Sequence, residues 1–108
     1  MTKVTYDEDN FCLTMEGHAG AAPAGEDLVC AALSMLMFTL QAAVEDHIEI
    51  LMPSVYQADG AMSVRCSPAP RQKKTCRTIY RTIFAGCELL GKQYPEYVQV
   101  IQTEQEGM

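Results

Sequence analysis

Residues 25–46 constrain the fold more than any other part of the sequence, because together they are long enough for a helix of about six turns. Glu26 and Asp27 place acids near the start of this helix, where the helix dipole favours negative charge. Mostly apolar residues follow in two adjacent stripes: Leu28, Ala32, Met35 and Thr39, and beside them Val29, Leu33, Leu36 and Leu40. Such a wide apolar surface predicts a mostly buried helix, with one side on a sheet and another against a second helix or a partner subunit.

Short β-prone runs stand on both sides of this helix. Before it, residues 3–6 and 11–16 are separated by an acidic, Asn-containing turn, which predicts an N-terminal hairpin. After it, residues 54–58 and 62–66 are joined by Asp59-Gly60, a favoured dipeptide for a tight hairpin turn.

A second helix is predicted over residues 71–94, and its apolar positions recur at helical spacing: Cys76, Ile79, Ile83, Cys87 and Leu90. Pro70 precedes this helix and Pro95 ends it. Residues 97–103 alternate as a final strand, and we expect the tail after about residue 104 to fray. The order ββαββαβ predicts one α+β domain over residues 1–108, a two-layer sandwich with two helices packed on one face of a mostly antiparallel sheet.

The charge balance favours a basic partner over nucleic acid. Fourteen acids against eight bases give a net charge of −6, whereas a domain that binds phosphate needs a basic face. Six bases fall within residues 65–81, and we interpret them as the solvated face of the second helix. We therefore expect a basic polypeptide partner and no direct contact with nucleic acid.

Cysteine usage and the apolar pattern favour a cytoplasmic protein. The first residues lack the basic start and apolar run of a signal peptide. Glu45, Asp46 and Glu49 interrupt the longest apolar stretch, so no membrane span is expected. Five Cys residues, without a CxxC pair or a zinc-type spacing, predict free thiols in a reducing compartment and no metal site. Cys12, Cys66, Cys76 and Cys87 are interpreted as small buried residues.

Two residues are candidates for nucleophilic chemistry. Cys30 falls in the opening turns of the long helix, where free backbone N–H groups and the dipole favour a thiolate and offer a site for an oxyanion. His18 follows a predicted strand, and an imidazole beside the thiol would activate it further. A Cys in an apolar helix is nevertheless more often an inert core residue, so the spacing alone leaves both interpretations open.

A known family motif matches two parts of this region: Gly17-His18-Ala19 and, after a loop, residues 25–34, which read GxDxVCAAxS. The chain thereby resembles the ribosomal-processing cysteine protease family. The resemblance implies that His18 is the base and Cys30 the nucleophile, and it places Asp27 and Ser34 at the motif's Asp and Ser positions.

The resemblance also implies a narrow task. Such a cysteine endopeptidase removes the N-terminal extension of the twenty-seventh protein of the large ribosomal subunit, works as a homodimer and requires no metal or organic cofactor. Two alternatives from other classes are a non-enzymatic, ribosome-associated binding or assembly module and, less favoured, a thiol redox switch at Cys30.

Supporting roles within the motif are less determined. Asp27 either orients His18 or caps the helix, and capping is the favoured interpretation. The Ser34 side chain either forms a hydrogen bond near the site or has only a packing role. Gly17, Gly20 and Gly25 are predicted hinges that let the loop close over an extended substrate. Residues 21–24 are smaller and more apolar than is usual for this loop in the family, so its substrate contacts stay open.

Overall fold

The computed structural model describes residues 1–17 and 24–103, with the backbone alone for residues 24–27. Strands β1 (Thr2–Asp7) and β2 (Cys12–Gly17) precede helix α1 (Ala24–Glu45) and a four-residue helix α2 (Ile48–Leu51). Strands β3 (Pro53–Ala58) and β4 (Ala61–Cys66), helix α3 (Lys73–Gln93) and strand β5 (Val98–Thr103) follow, and a 3-10 turn over Pro70–Gln72 leads into α3. The predicted order ββαββαβ is confirmed, with α2 as an addition.

The five strands form one sheet in the order β3-β4-β2-β1-β5. Antiparallel pairing joins β3 to β4, β4 to β2 and β2 to β1. The pairing of β1 with β5 is parallel, with Thr2 opposite Val98. The sheet is therefore mostly antiparallel, as predicted, and strands from the two ends of the described chain lie side by side.

One face of the sheet carries the core. Strand side chains alternate between the two faces, so every second residue of β1 points to the helices. Helix α1 packs on β3 and β4, α3 packs on β5, and the two helices contact each other. The buried residues that join the layers include Val4, Tyr6, Leu13, Val64, Leu33, Leu40, Tyr80 and Phe84. This arrangement confirms the two-layer α+β architecture.

Helix α1 is less buried in the single chain than its sequence predicts. Leu33, Met37 and Leu40 are fully covered, whereas Leu28 is 73% exposed and Met35 is 63% exposed. The sheet and α3 cover only one side of the helix, because no further layer lies beyond it in the described residues. The expectation of a mostly buried helix is therefore wrong for one chain, and an apolar stripe on α1 faces outward.

The same helix bears on the expectation of no membrane span. The 18-residue stretch Leu28–Glu45 is long and apolar enough to cross a bilayer by length and composition. Glu45, Asp46 and Glu49 lie at or beyond the end of this stretch, so they do not shorten it below the length of a span. Leu33, Leu40 and Val44 of this stretch are buried in the core, although only 28% of the stretch is buried inside the described structure.

The open face of the sheet is polar, and it holds Cys12. The Cys12 thiol lies 3.4 Å from Ser63 Oγ, which in turn lies 3.2 Å from Thr14 Oγ1. Cys12 is half-buried, so its interpretation as a buried core residue is wrong, although Cys66, Cys76 and Cys87 are buried as expected. The physical reason is strand alternation, which turns Leu13 inward and Cys12 outward.

Part of the basic stretch has a structural role. Glu8, in the turn after β1, accepts hydrogen bonds from Arg81 Nε at 3.1 Å and Arg81 Nη2 at 2.6 Å. Arg77 Nε lies 3.3 Å from the same carboxylate, and its guanidinium also lies over the Phe11 ring at 5.6 Å from the centroid. These two arginines therefore connect α3 to the β1–β2 turn as well as facing solvent.

Candidate active site

Cys30 is the seventh residue of α1, in the second turn of the helix. Its side chain is half-buried, in contrast to Cys66, Cys76 and Cys87. The free amides of a helix start belong to the first turn, and the influence of the dipole falls off beyond it. The helix terminus therefore stabilises a Cys30 thiolate less than it would stabilise one at the N-cap.

A cavity of about 210 Å³ opens beside Cys30. Helix α1 contributes one wall through Cys30, Ser34 and Phe38, which recur every four residues and so share one side of the helix. Thr2, Met15 and Met62 line the cavity from the sheet, and the β3–β4 hairpin closes one side through Gln57, Ala58, Asp59, Gly60 and Ala61. Cys30 thus faces an open, largely apolar space, as a nucleophile that acts on a peptide must.

The Cys30 thiol contacts a hydroxyl from the sheet. Cys30 Sγ lies 3.3 Å from Thr2 Oγ1, and Thr2 is only 3% exposed. Thr2 is the first residue of β1 and pairs with Gly17 on β2. The sheet therefore brings a buried hydroxyl to the Cys30 thiol across 28 residues of sequence.

Two glycines hold the end of β2 against the β3–β4 turn. Gly17 N–H donates to Gly60 O at 2.9 Å. A Cβ on Gly17 would lie 2.7 Å from Thr2 Oγ1, and a Cβ on Gly60 would lie 2.7 Å from Gly17 O. Gly60 also has a φ of +76°, which favours glycine in the predicted Asp59-Gly60 turn. Both positions have no room for a side chain.

The structure brings together some of the predicted site residues. Ser34 lines the cavity one helical turn after Cys30. Gly17 ends β2, and its close packing against Thr2 is a reason for glycine that is separate from a hinge role. Gly25 lies in the first turn of α1.

Other predicted site residues fall outside what the structure describes. His18 and Gly20 lie outside the described residues, and Asp27 is described by its backbone alone. The pairing of His18 with Cys30, the hinge role of the glycines and both roles of Asp27 therefore stay predictions.

Sequence reasoning missed three contributors to the cavity: Thr2, Phe38 and the residues of the β3–β4 hairpin. The spacing of Cys30, Ser34 and Phe38 was available in the sequence and would have identified Phe38. No local signal marks Thr2, because its approach to Cys30 depends on the packing of α1 against the sheet.

The core thiols differ from Cys30 in environment. Burial, assisted by Glu88, raises the pKa of Cys87 to about 11, which keeps this thiol protonated. The hydrogen bond with the neighbouring Cys66 thiol, together with burial, also raises the pKa of Cys76. Among the side chains that the structure describes, those of residues 1–17 and 28–103, no group of three His, Cys, Asp or Glu residues has the arrangement of a metal site.

The family model described as cysteine protease Prp matches residues 1–99. The chain belongs to this family, and it is therefore a cysteine protease. The comparison with curated proteins found no match.

Solved structures with this fold include SMU.848 from Streptococcus mutans, with 22% identity, a TM-score of 0.72 and coverage of 96% of this chain and 93% of that chain. The essential ribosomal processing protease Prp from S. aureus in complex with a substrate peptide has 19% identity and a TM-score of 0.78, over 95% of this chain and 100% of that chain. The same S. aureus protein with a covalently linked product peptide has 21% identity, a TM-score of 0.76 and the same coverage. At these identities the likeness establishes the fold.

Proposed function

We propose that this cysteine protease removes the N-terminal extension of a basic ribosomal protein, the twenty-seventh of the large subunit. The observation that carries the proposal is the position of Cys30, a half-buried thiol beside an open cavity at the place of the family motif. Family membership supports cysteine-protease chemistry, and the S. aureus relative is itself described as a ribosomal processing protease.

In the proposed reaction the Cys30 thiolate attacks the scissile carbonyl carbon and forms a tetrahedral oxyanion. Backbone N–H groups near the start of α1 stabilise this oxyanion. Protonated His18 donates its proton to the departing amine as the C–N bond breaks, which leaves an acyl-enzyme thioester. Neutral His18 then takes a proton from water, whose oxygen attacks the thioester, and the second product leaves as the Cys30 thiolate is regenerated. The chemistry needs no metal or organic cofactor.

The partner chemistry follows from charge and cavity shape. A net charge of −6 suits a basic ribosomal protein and disfavours direct nucleic-acid binding. The apolar cavity lining, with Met15, Phe38 and Met62, suits an apolar substrate side chain next to the cleaved bond. We place the protein in the cytoplasm, where ribosomal proteins are made and where free thiols persist.

We also propose that the protein is a homodimer. Leu28 and Met35 on α1 are large apolar side chains that are mostly exposed in the single chain. Such a stripe is costly in water and is stabilised when a second copy covers it. The predicted contact of α1 with a partner subunit agrees with this surface.

The test is incubation of the purified, reduced protein with the extended ribosomal protein of its own organism, followed by intact-mass measurement. We expect one truncation that Cys30→Ala and His18→Ala each abolish. Cys12→Ala is the matched control, because Cys12 lies on the open face of the sheet and should leave cleavage unchanged.

Two results would contradict the proposal. If the folded wild-type protein leaves the extension intact but binds the ribosomal protein, the binding-module alternative gains support. If cleavage persists in Cys30→Ala, the nucleophile is assigned wrongly. Gly20→Val tests the loop separately, because a β-branched residue there should slow turnover if the glycine acts as a hinge.

A further inference from the structure

The buried hydroxyl of Thr2 calls for a physical explanation. Thr2 is 3% exposed, and a buried hydroxyl is costly unless it forms a hydrogen bond. Most residues whose side chains point to the helices from this sheet are apolar, as Val4 and Tyr6 are on the same strand. A Thr at the end of this series places a polar atom where an apolar one would normally pack.

Backbone contacts fix the position of Thr2 from two sides. Its N–H donates to Tyr97 O at 2.8 Å, and the residue pairs with Gly17 on β2 and Val98 on β5. The space next to its hydroxyl exists because position 17 is a glycine; the Cβ of any other residue there would lie 2.7 Å from Thr2 Oγ1. The β-branched side chain has few rotamers, so the hydroxyl direction is restricted as well.

The group that this hydroxyl contacts is the nucleophile. Thr2 Oγ1 lies 3.3 Å from Cys30 Sγ, and both residues line the cavity. In the thiol state, the S–H or the O–H donates. In the thiolate state, only the hydroxyl has a hydrogen to donate, and a hydrogen bond to an ionised acceptor is stronger than one between neutral groups. The contact therefore favours the reactive form of Cys30.

We propose that Thr2 is a positioning residue of this protease, whose hydroxyl donates to the Cys30 thiolate and holds Sγ towards the cavity. The inference rests on the proposed role of Cys30 as nucleophile. Cys30 lies in the second turn of α1, beyond the first-turn amides, and a hydroxyl from the sheet supplies stabilisation that the helix end gives only weakly there.

The test measures the alkylation rate of Cys30 by iodoacetamide at neutral pH in the full chain, with each cysteine peptide quantified by mass spectrometry. Thr2→Val keeps the side-chain shape and removes the hydroxyl, whereas Thr2→Ser keeps the hydroxyl. We expect Thr2→Val to slow Cys30 alkylation about tenfold and Thr2→Ser to stay within about twofold of wild type, as the loss and retention of one charge-assisted hydrogen bond require.

Cys12 provides the reference in the same molecules, because it is a half-buried thiol on the opposite face of the sheet. Its alkylation rate should be the same in all variants. If Thr2→Val does not fold, Thr2→Ser and Thr2→Ala form a second pair that differs by the hydroxyl alone. Alkylation of Cys30 should then be about tenfold slower in Thr2→Ala than in Thr2→Ser, because only the Ser variant keeps the charge-assisted hydrogen bond.

The inference would be overturned if Cys30 in folded Thr2→Val were alkylated at the wild-type rate. Equal slowing in Thr2→Ser and Thr2→Val would also overturn it, because a variant that keeps the hydroxyl would then react as slowly as one that lacks it. Turnover gives a second readout, in which Thr2→Val should lower kcat and leave KM unchanged. Alkylation requires no substrate, so the two proposals can fail separately. If Cys30 is alkylated slowly in Thr2→Val but the wild-type protein does not cleave the ribosomal protein, this inference is retained and the proposed substrate is rejected.

Discussion

The rings of Tyr6 and Tyr80 stack in the core with their centroids 5.8 Å apart and their planes 9° from parallel. Their hydroxyl groups differ in environment. Tyr80 O–H donates to Val64 O at 3.0 Å, whereas the Tyr6 hydroxyl is buried and has no hydrogen-bond partner in the described part of the chain. Burial raises the pKa of both phenols, so both stay protonated at neutral pH.

This difference predicts opposite effects for the same substitution. Tyr80→Phe should lower the free energy of unfolding by about 1 kcal/mol, because it removes a satisfied buried hydrogen bond. Tyr6→Phe should raise it by about 1 kcal/mol, because it removes a buried hydroxyl without a partner. Urea denaturation of the two variants beside wild type measures both values. Equal destabilisation by both substitutions would mean that the Tyr6 hydroxyl is satisfied.

The β3–β4 turn predicts a second contrast. Gly60→Ala should destabilise the protein by about 1 to 2 kcal/mol, because alanine is strained at positive φ and its Cβ would lie against Gly17 O. Gly86→Ala is the matched control, since it lies within α3 and its Cβ would meet only the end of the flexible Leu36 side chain. Thermal unfolding of both variants should show a clear loss only for Gly60→Ala, and an equal loss in both would contradict the strained turn.

Alkaline stability is a third expectation. The pKa of Cys87 is raised from 9.0 to about 11, so its contribution to stability is fully present below pH 9 and is lost as the pH rises through 11. The two-unit shift corresponds to about 2 to 3 kcal/mol. The free energy of unfolding, measured from pH 8 to 11, should fall more steeply in wild type than in Cys87→Ala. Parallel curves would show that Cys87 does not contribute to this dependence.

The exposed stripe on α1 provides a test of the homodimer. Leu28→Glu with Met35→Glu should convert a dimer into a monomer of 11.9 kDa in sedimentation experiments, because a charged group is costly to bury at an apolar interface. Tyr56→Glu is the control, since Tyr56 is also largely exposed but lies on β3. A wild-type protein that sediments as a monomer at micromolar concentration would reject the dimer.

Local features of the fold were predictable because their causes lie close together in sequence. Asp59-Gly60 predicts the hairpin turn through the conformation that glycine allows, and the spacing from Cys76 to Leu90 predicts the buried face of α3. The short helix α2 has too few residues for a periodic signal. It ends at Met52 in a left-handed conformation with a φ of 47°, which no composition rule anticipates at a methionine.

Features that depend on distant contacts were not predictable. The stripes on α1 identify its apolar circumference, but they do not reveal that Leu28 and Met35 lie outside the contact with the sheet. The motif identifies Cys30 as a candidate, whereas the approach of Thr2 depends on the packing of α1 against the sheet. Such contacts join residues far apart in the chain and leave no local pattern.

The parallel pair has a consequence for the order in which this protein acquires its structure during synthesis. Strand β1 is made before the other described strands, whereas its neighbour β5 is made after them, and Thr2 stays without its contacts to Tyr97 and Val98 until then. Long-range pairing of this kind slows folding, because the intervening chain must close before the contact forms. The β1–β5 edge of the sheet is therefore completed only after β5 has been made, whereas the residues that line the Cys30 cavity are all made by position 62.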